Sequence, residues 1–275
     1  MKSKYLFPSV ILFSFLTISS CTKEANDDVD ISQSAFDIEA NTTSDEFEKS
    51  ADAVTFDKVN NACGPNGPIP ECALVTIDYP EGTAFPKVIT IDYGEVNCEV
   101  RPNLYKRGKE IITISDSLIN MNAQRTITFE AFFINDNEVT GYKELTNLGA
   151  NEDGFITFSI DNDLAVGTWS QVASGTKTWI EGFATMGAMD NVFLLEGASL
   201  TIRNEISISR TITEALRVDR SCGYITEGIV SIVWNDTNTA LIDFGDGTCD
   251  NIAIIYRDGQ EFEIDLDLFR HRRRH

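Results

Sequence analysis

Histidine is almost missing from this sequence. His271 and His275 are the only two, and both lie in the segment Arg270–His275 at the C-terminal end. A Ser–His or Cys–His catalytic pair needs a positioned base that titrates near neutrality. A basic tail with no apolar residue gives neither histidine a fixed position. The sequence therefore argues against nucleophilic catalysis of that kind, and we predict a protein that is not an enzyme.

Patterns for metal and nucleic-acid binding are also missing. No two cysteines have the CxxC spacing of a zinc site, and Asp243–Asn251 lacks the alternating acids of a calcium loop. We therefore predict neither a metal nor another cofactor. Only 22 Lys and Arg residues stand against 43 Asp and Glu residues, for a formal net charge of −21. A surface this acidic repels phosphate backbones, which argues against a nucleic-acid partner.

The N-terminus has the pattern of an exported protein. Lys2 and Lys4 precede an apolar run that is too short to span a bilayer and is typical of a signal peptide. The run ends in Ile18-Ser19-Ser20-Cys21, which resembles the lipobox of bacterial lipoproteins. That resemblance implies that residues 1–20 are removed and that Cys21 carries lipid. The membrane would then be a partner through the acyl chains rather than through a basic patch.

Residues 21–62 are predicted to form a lipidated, flexible, acidic tether. Acidic and small polar residues dominate, so the segment cannot bury enough apolar surface to offset its chain entropy. One short helix can form within it, because Thr43 and Glu46 make a capping box. Three apolar residues would share one face of that helix: Phe47, Ala51 and Val54. Glycines and prolines from residue 63 onward mark the domain boundary.

Residues 63–269 are predicted to form a single all-β domain, followed by a basic tail over residues 270–275. Apolar and polar residues alternate with period two in many runs, and clusters of Asn and Asp separate those runs. This pattern favours a mainly antiparallel β-sandwich or an open barrel-like sheet with long hairpins. The segments at about 72–115 and 222–266 also share a motif, Ile91–Gly94 and Ile242–Gly245, which predicts a diverged internal duplication.

Disulfides are the default interpretation of the remaining cysteines in an exported chain. The hairpin pattern makes four of them candidates: Cys72 with Cys98, and Cys222 with Cys249. Such bridges would close hairpins that turn near residue 85 and at residues 235–236. Each would stabilise the fold by about 3–4 kcal/mol. Cys63 is then the odd thiol. The alternative pairs Cys63 with Cys72 and leaves Cys98 to pair at long range.

Trp169 and Trp179 are the candidate ligand platform. Gly167 and Ser174-Gly175 predict a hairpin that would make the two indoles cross-strand neighbours. Exposed indoles would offer a surface for sugar rings. Buried indoles would anchor the core instead, which is the interpretation that large aromatic side chains favour.

Several motifs together resemble a family of Bacteroidota lipoproteins of unknown function, over most of residues 72–268. They are the lipobox, Phe85–Gly94, Arg107–Lys109, Thr178–Gly182 and Asp243–Asn251. The resemblance implies no activity. In that phylum, lysine and acidic residues directly after the lipidated cysteine resemble a surface-export signal, and Lys23-Glu24 fits it.

The sequence thus predicts an outer-membrane lipoprotein, exposed on the cell surface, with a non-catalytic binding or envelope-structural role. A glycan or an envelope protein would be its partner, and a periplasm-facing orientation is the alternative. Two other functions stay open: a carbohydrate-binding accessory lipoprotein, and a periplasmic lipid carrier with a half-barrel fold. The second would need a large apolar cavity. An enzyme would need two carboxylates facing each other about 5–10 Å apart.

Overall fold

The computed structural model describes residues 27–56, 69–185 and 189–270. The predicted signal peptide, Cys21, Cys63 and residues 271–275 lie outside these ranges. Helix α1 (Asp27–Phe56) comes first and α2 (Asp267–Arg270) comes last. In the described ranges, no helix is both long enough and apolar enough to span a membrane. The described residues between the two helices form fourteen strands: β1 (Leu74–Asp78), β2 (Lys87–Asp92), β3 (Cys98–Arg101), β4 (Leu104–Ile114), β5 (Gln124–Ile134), β6 (Asn137–Ala150), β7 (Ile156–Val166), β8 (Trp169–Glu181), β9 (Val192–Arg203), β10 (Ile206–Asp219), β11 (Ile225–Trp234), β12 (Asn238–Asp246), β13 (Ile252–Arg257) and β14 (Gln260–Asp265).

All the strands belong to one open antiparallel sheet. They follow in chain order from β1 to β14, except that β3 pairs with β4 off the main path. The hairpins are long: β7 and β8 pair continuously from Ile156 opposite Trp179 to Val166 opposite Trp169. The predicted all-β, antiparallel class is confirmed, and the architecture is a single sheet rather than a sandwich of two.

The period-two pattern places one face of each strand in the core. In β11, Val230, Ile232 and Trp234 are buried at alternate positions, and the residues between them are half-buried. Because successive side chains on a strand point to opposite faces, one face of the sheet carries most of the core and the other meets solvent.

Helix α1 lies inside the core, and here the structure differs from the predicted flexible tether. Residues 33–38 are buried without interruption, so the sheet and its loops enclose this part of the helix on every side. The predicted face of Phe47, Ala51 and Val54 is buried. However, the helix begins at Asp27 rather than at Thr43, whose hydroxyl donates to the Glu39 carbonyl at 2.9 Å within the helix. An acidic segment can be buried here because the sheet supplies cations, as described below.

Glycines and bulges allow the sheet to bend around α1. A Cβ atom on Gly141 would lie 2.0 Å from the Asp163 carbonyl oxygen, and one on Gly175 would lie 2.1 Å from the Glu196 carbonyl oxygen. Strand registers shift between β4 and β5, between β9 and β10 and between β11 and β12. Bulges and close backbone approaches of this kind curve a sheet.

Two disulfides join the cysteine pairs that the hairpin pattern predicted, Cys72–Cys98 and Cys222–Cys249. The second hairpin turns as expected at Asn235 and Asp236, whose φ angles are 51° and 62°. The structure therefore confirms these pairings over the alternative Cys63–Cys72.

The repeated Asp-aromatic-Gly motif forms the same turn in both places. The Gly94 amide donates to the Asp92 carboxylate at 2.8 Å, and the Gly245 amide donates to the Asp243 carboxylate at 2.9 Å. The neighbouring strands are paired differently, however. Ile91 lies opposite Val75, whereas Ile242 lies opposite Val230. The internal duplication therefore stays a prediction.

Candidate functional site

The two tryptophans do not form an exposed platform. Each side chain is only 7% exposed, and both lie on β8, at its two ends. They are roughly 33 Å apart along the strand, at the usual rise per residue. The predicted hairpin between them is wrong, because Ser174 and Gly175 lie inside β8. Trp169 packs edge-on against Phe36 of α1, with ring centroids 6.4 Å apart. Both residues are core anchors.

The most highly charged site in the described chain is the buried interface between α1 and the sheet. At its centre the Arg125 side chain, on β5, is fully buried. Its Nη1 donates to Asp52 Oδ1 at 2.8 Å, and its Nη2 donates to Glu48 Oε1. Lys177 Nζ on β8 lies 3.1 Å from Glu48 Oε1 and 3.4 Å from Asp52 Oδ2. Arg220 Nη2 donates to Asp52 Oδ2 at 2.6 Å. Two helix carboxylates thus share three cations.

These cations keep the two helix carboxylates, Glu48 and Asp52, ionised. Burial alone would raise the pKa of Glu48, but Arg125 and Lys177 hold it well below its ordinary value. Burial likewise raises the pKa of Asp52, and Lys177 and Arg220 reverse that effect and lower it. Both carboxylates are therefore ionised in the folded protein at neutral pH, and the interface is a network of paired charges.

A second buried cluster surrounds Lys106 on β4. Its Nζ donates to the Ser50 hydroxyl at 3.0 Å and lies 3.7 Å from Glu110 Oε2. Burial raises the pKa of Glu110 and also that of Tyr93, which contacts the same groups. The Ser50–Lys106 distance is that of a nucleophile and its base, but Ser50 is 3% exposed and Lys106 is 2% exposed. A substrate could not approach this pair, so we assign it a structural role.

Further contacts extend the interface along the helix. Lys143 Nζ donates to both the carbonyl and the hydroxyl oxygen of Ser44, at 2.8 and 2.9 Å. Arg210 Nε lies 3.3 Å from Asp37 Oδ2. Five strands thus each contribute one inward cation: Lys106, Arg125, Lys143, Lys177 and Arg210. This set of cations was not predicted from the sequence. In the sequence, the set is visible as a Lys or Arg at an inward-facing position of each of these five strands, where an apolar residue is expected.

Two small recesses adjoin the interface. One, of about 70 Å³, lies beside Trp169, Arg101 and the helix residue Thr43. The other, of about 100 Å³, lies between Asn41 of α1 and strands β7 to β10. Neither is the large apolar cavity that a lipid carrier would need.

In comparisons with known proteins, no family model, no curated protein and no solved structure matches this chain.

Proposed function

We propose that this protein is a lipid-anchored component of the bacterial envelope, exposed at the cell surface, with a non-catalytic binding or structural role. The sequence supports the anchor through the lipobox that ends at Cys21. Four cysteines paired in two disulfides support life in an oxidising compartment. Lys23-Glu24 supports the surface orientation over the periplasm-facing one.

The burial of α1 is the observation that carries the structural side of this proposal. Only residues 22–26 separate Cys21 from the start of the helix at Asp27. Even a fully extended chain of that length spans only about 20 Å. The proposed anchor therefore holds the sheet domain close to the membrane, instead of at the end of a long flexible tether.

The interface charges favour a scaffold over a catalyst. Arg125 and Lys177 both form ion pairs with Glu48 inside the core. Buried ion pairs of this kind fix one arrangement of helix and sheet, because separating them leaves unpaired charges in a dry environment. A rigid body of this kind suits a domain that presents its outer surface to a partner.

Fatty-acid labelling tests the anchor. Cells that produce the full chain, its Cys21→Ser variant or its Cys63→Ser variant are grown with a traceable fatty acid. We expect label on the wild type and on Cys63→Ser, which is the matched control, and none on Cys21→Ser. Label that persists on Cys21→Ser, or a wild type without label, would contradict the proposal.

Protease treatment of intact cells tests the orientation. A surface-exposed domain is digested in intact cells, whereas a periplasm-facing domain is digested only after the outer membrane is opened. We expect the first result. The second would favour the periplasm-facing alternative and leave the anchor in place.

A further inference from the structure

Small residues of the paired strands β8 and β9 line the larger recess. Gly175 on β8 lies directly opposite Gly197 on β9, with Ala173 and Ser199 beside them on the inward face. The β9–β10 ladder is also interrupted here: Thr211 pairs with Ala198, and pairing resumes only at Leu216 opposite Leu195. Asn41 of α1 and Asn162 of β7 also line this space, which we call the Asn162 recess.

Two buried polar groups that border the recess lack a partner. Asn162 is 8% exposed, and its Oδ1 receives no hydrogen bond from any described residue. The Ser199 hydroxyl is buried and has no hydrogen-bond partner among the same residues. Leaving a buried polar atom unpaired costs about 1–3 kcal/mol. Groups like these are therefore expected to meet a ligand or ordered water.

Arg210, the cation that borders the recess, already has partners within the protein. Arg210 donates from Nη1 to Asn41 Oδ1 at 3.2 Å, and its Nε lies 3.3 Å from Asp37. Glu196 stands exposed at the rim. An anionic ligand would be repelled by Glu196, and a cationic ligand would be repelled by the Arg210 guanidinium, which also lines the recess. The site therefore favours an uncharged occupant.

We propose that the Asn162 recess binds a neutral hydroxylated group, either a small polyol or the hydroxylated edge of a saccharide. A ligand hydroxyl can donate to Asn162 Oδ1 and can both donate to and accept from Ser199. Ile160 and Ile212 in the wall suit the carbon skeleton. At about 100 Å³ the recess admits a few carbon and oxygen atoms, and its open side leaves room for the rest of a sugar.

This inference rests on the binding role proposed above, but it is independent of the lipid anchor. A failed fatty-acid labelling experiment would leave it standing, and failure of sugar binding would leave the anchor standing. It also relocates the sugar-binding alternative from the two tryptophans to a different site.

Ligand-observed NMR on the full chain in detergent tests the recess. The probes are glycerol, glucose and galactose, titrated to tens of millimolar. Ala173→Leu fills the recess, and Asn162→Ala removes the buried acceptor. Ala165→Leu, on the exposed face of the neighbouring strand β7, is the matched control. Circular dichroism and a thermal melt check that each variant folds.

We expect saturable binding of at least one probe, weakened about tenfold or more by Asn162→Ala and abolished by Ala173→Leu. The control should bind within about twofold of the wild type. Binding of glycerol alone would identify a free polyol as the ligand, and binding of a sugar alone would identify a saccharide. No saturable binding by any probe, which means water only, would overturn the proposal. Binding that Asn162→Ala leaves unchanged would overturn it as well.

Discussion

Asp52 Oδ1 accepts a hydrogen bond of 2.8 Å from Arg125 Nη1, across a sequence separation of 73 residues. The contact joins the acidic helix to the middle of the sheet, and both side chains are buried. Many contacts between α1 and the sheet repeat this arrangement, with a carboxylate from the helix and a cation from a strand. The helix is thereby an integral part of the core.

Loss of Arg125 should be severely destabilising. Arg125→Met removes one cation from two helix carboxylates, Glu48 and Asp52, and we expect it to lower the free energy of unfolding by about 3–5 kcal/mol. Lys109→Ala breaks an ion pair with Glu130 that is exposed on the outer face, and should cost far less, because solvent screens an exposed pair. Urea unfolding curves measure both. Equal costs for the two variants would show that the buried network does not hold the helix in place.

Acid should weaken the same interface. The pKa values of Glu46, Glu48 and Asp52 lie below their ordinary values, because nearby cations outweigh the effect of burial. Their stabilisation is present above the unfolded-state pKa and is lost as pH falls through the folded-state pKa. Burial raises the pKa of Asp37 and of Glu110, so their contributions have the opposite sign.

The three lowered groups should outweigh the two raised ones. We therefore expect the free energy of unfolding to fall between about pH 5 and about pH 2. Tryptophan fluorescence during urea unfolding at a series of pH values reads this out, since Trp169 packs against Phe36 of the helix. Stability that is constant or rising toward acid would contradict the assigned protonation states.

Glycine at position 141 should be required for the curvature of the sheet. Gly141→Ala places a Cβ atom 2.0 Å from the Asp163 carbonyl, whereas Gly154→Ala meets no atom within 4 Å. Both glycines have a positive φ, 101° and 85°, so backbone strain is common to the two variants. We expect Gly141→Ala to cost about 1–3 kcal/mol more than Gly154→Ala in thermal or urea unfolding. Identical costs would mean that strain alone, and not close strand approach, sets the need for glycine.

The two disulfides should raise the free energy of unfolding by similar amounts. They enclose 26- and 27-residue separations, so in the chain-entropy model each stabilises by about 3–4 kcal/mol. We compare the double variants Cys72→Ser with Cys98→Ser, and Cys222→Ser with Cys249→Ser, by urea unfolding under non-reducing conditions. A pair whose removal leaves the unfolding midpoint unchanged would not be formed in the folded protein.

The sheet and its bridges could be predicted because their signals are local. Alternation along strands such as β11, and the turn at Asn235 and Asp236, depend on neighbours in sequence. Cys222 and Cys249 lie at equal distances in sequence from that turn, so a hairpin that turns there brings them together. In contrast, the predicted hairpin between Trp169 and Trp179 was wrong. Gly175 does not form a turn there; it allows β8 to lie close to the backbone of β9.

The buried helix could not be predicted because its signal is non-local. Acidic residues over 27–56 are typical of a solvated segment, and only the cations of distant strands make their burial affordable. Those cations are visible in the sequence as interruptions of the apolar face. Arg125, for example, lies two residues from both Ala123 and Ile127, and all three are buried. Nothing local indicates which carboxylates meet them.

Amide hydrogen exchange across residues 33–55 tests the central claim most directly. We expect the amides of this segment in the folded chain to exchange as slowly as those of β5 and β8, because the helix can open only when its ion pairs with the sheet break. Exchange of this segment at the rate of an unstructured chain, while β5 and β8 remain protected, would show that the acidic segment is a tether after all.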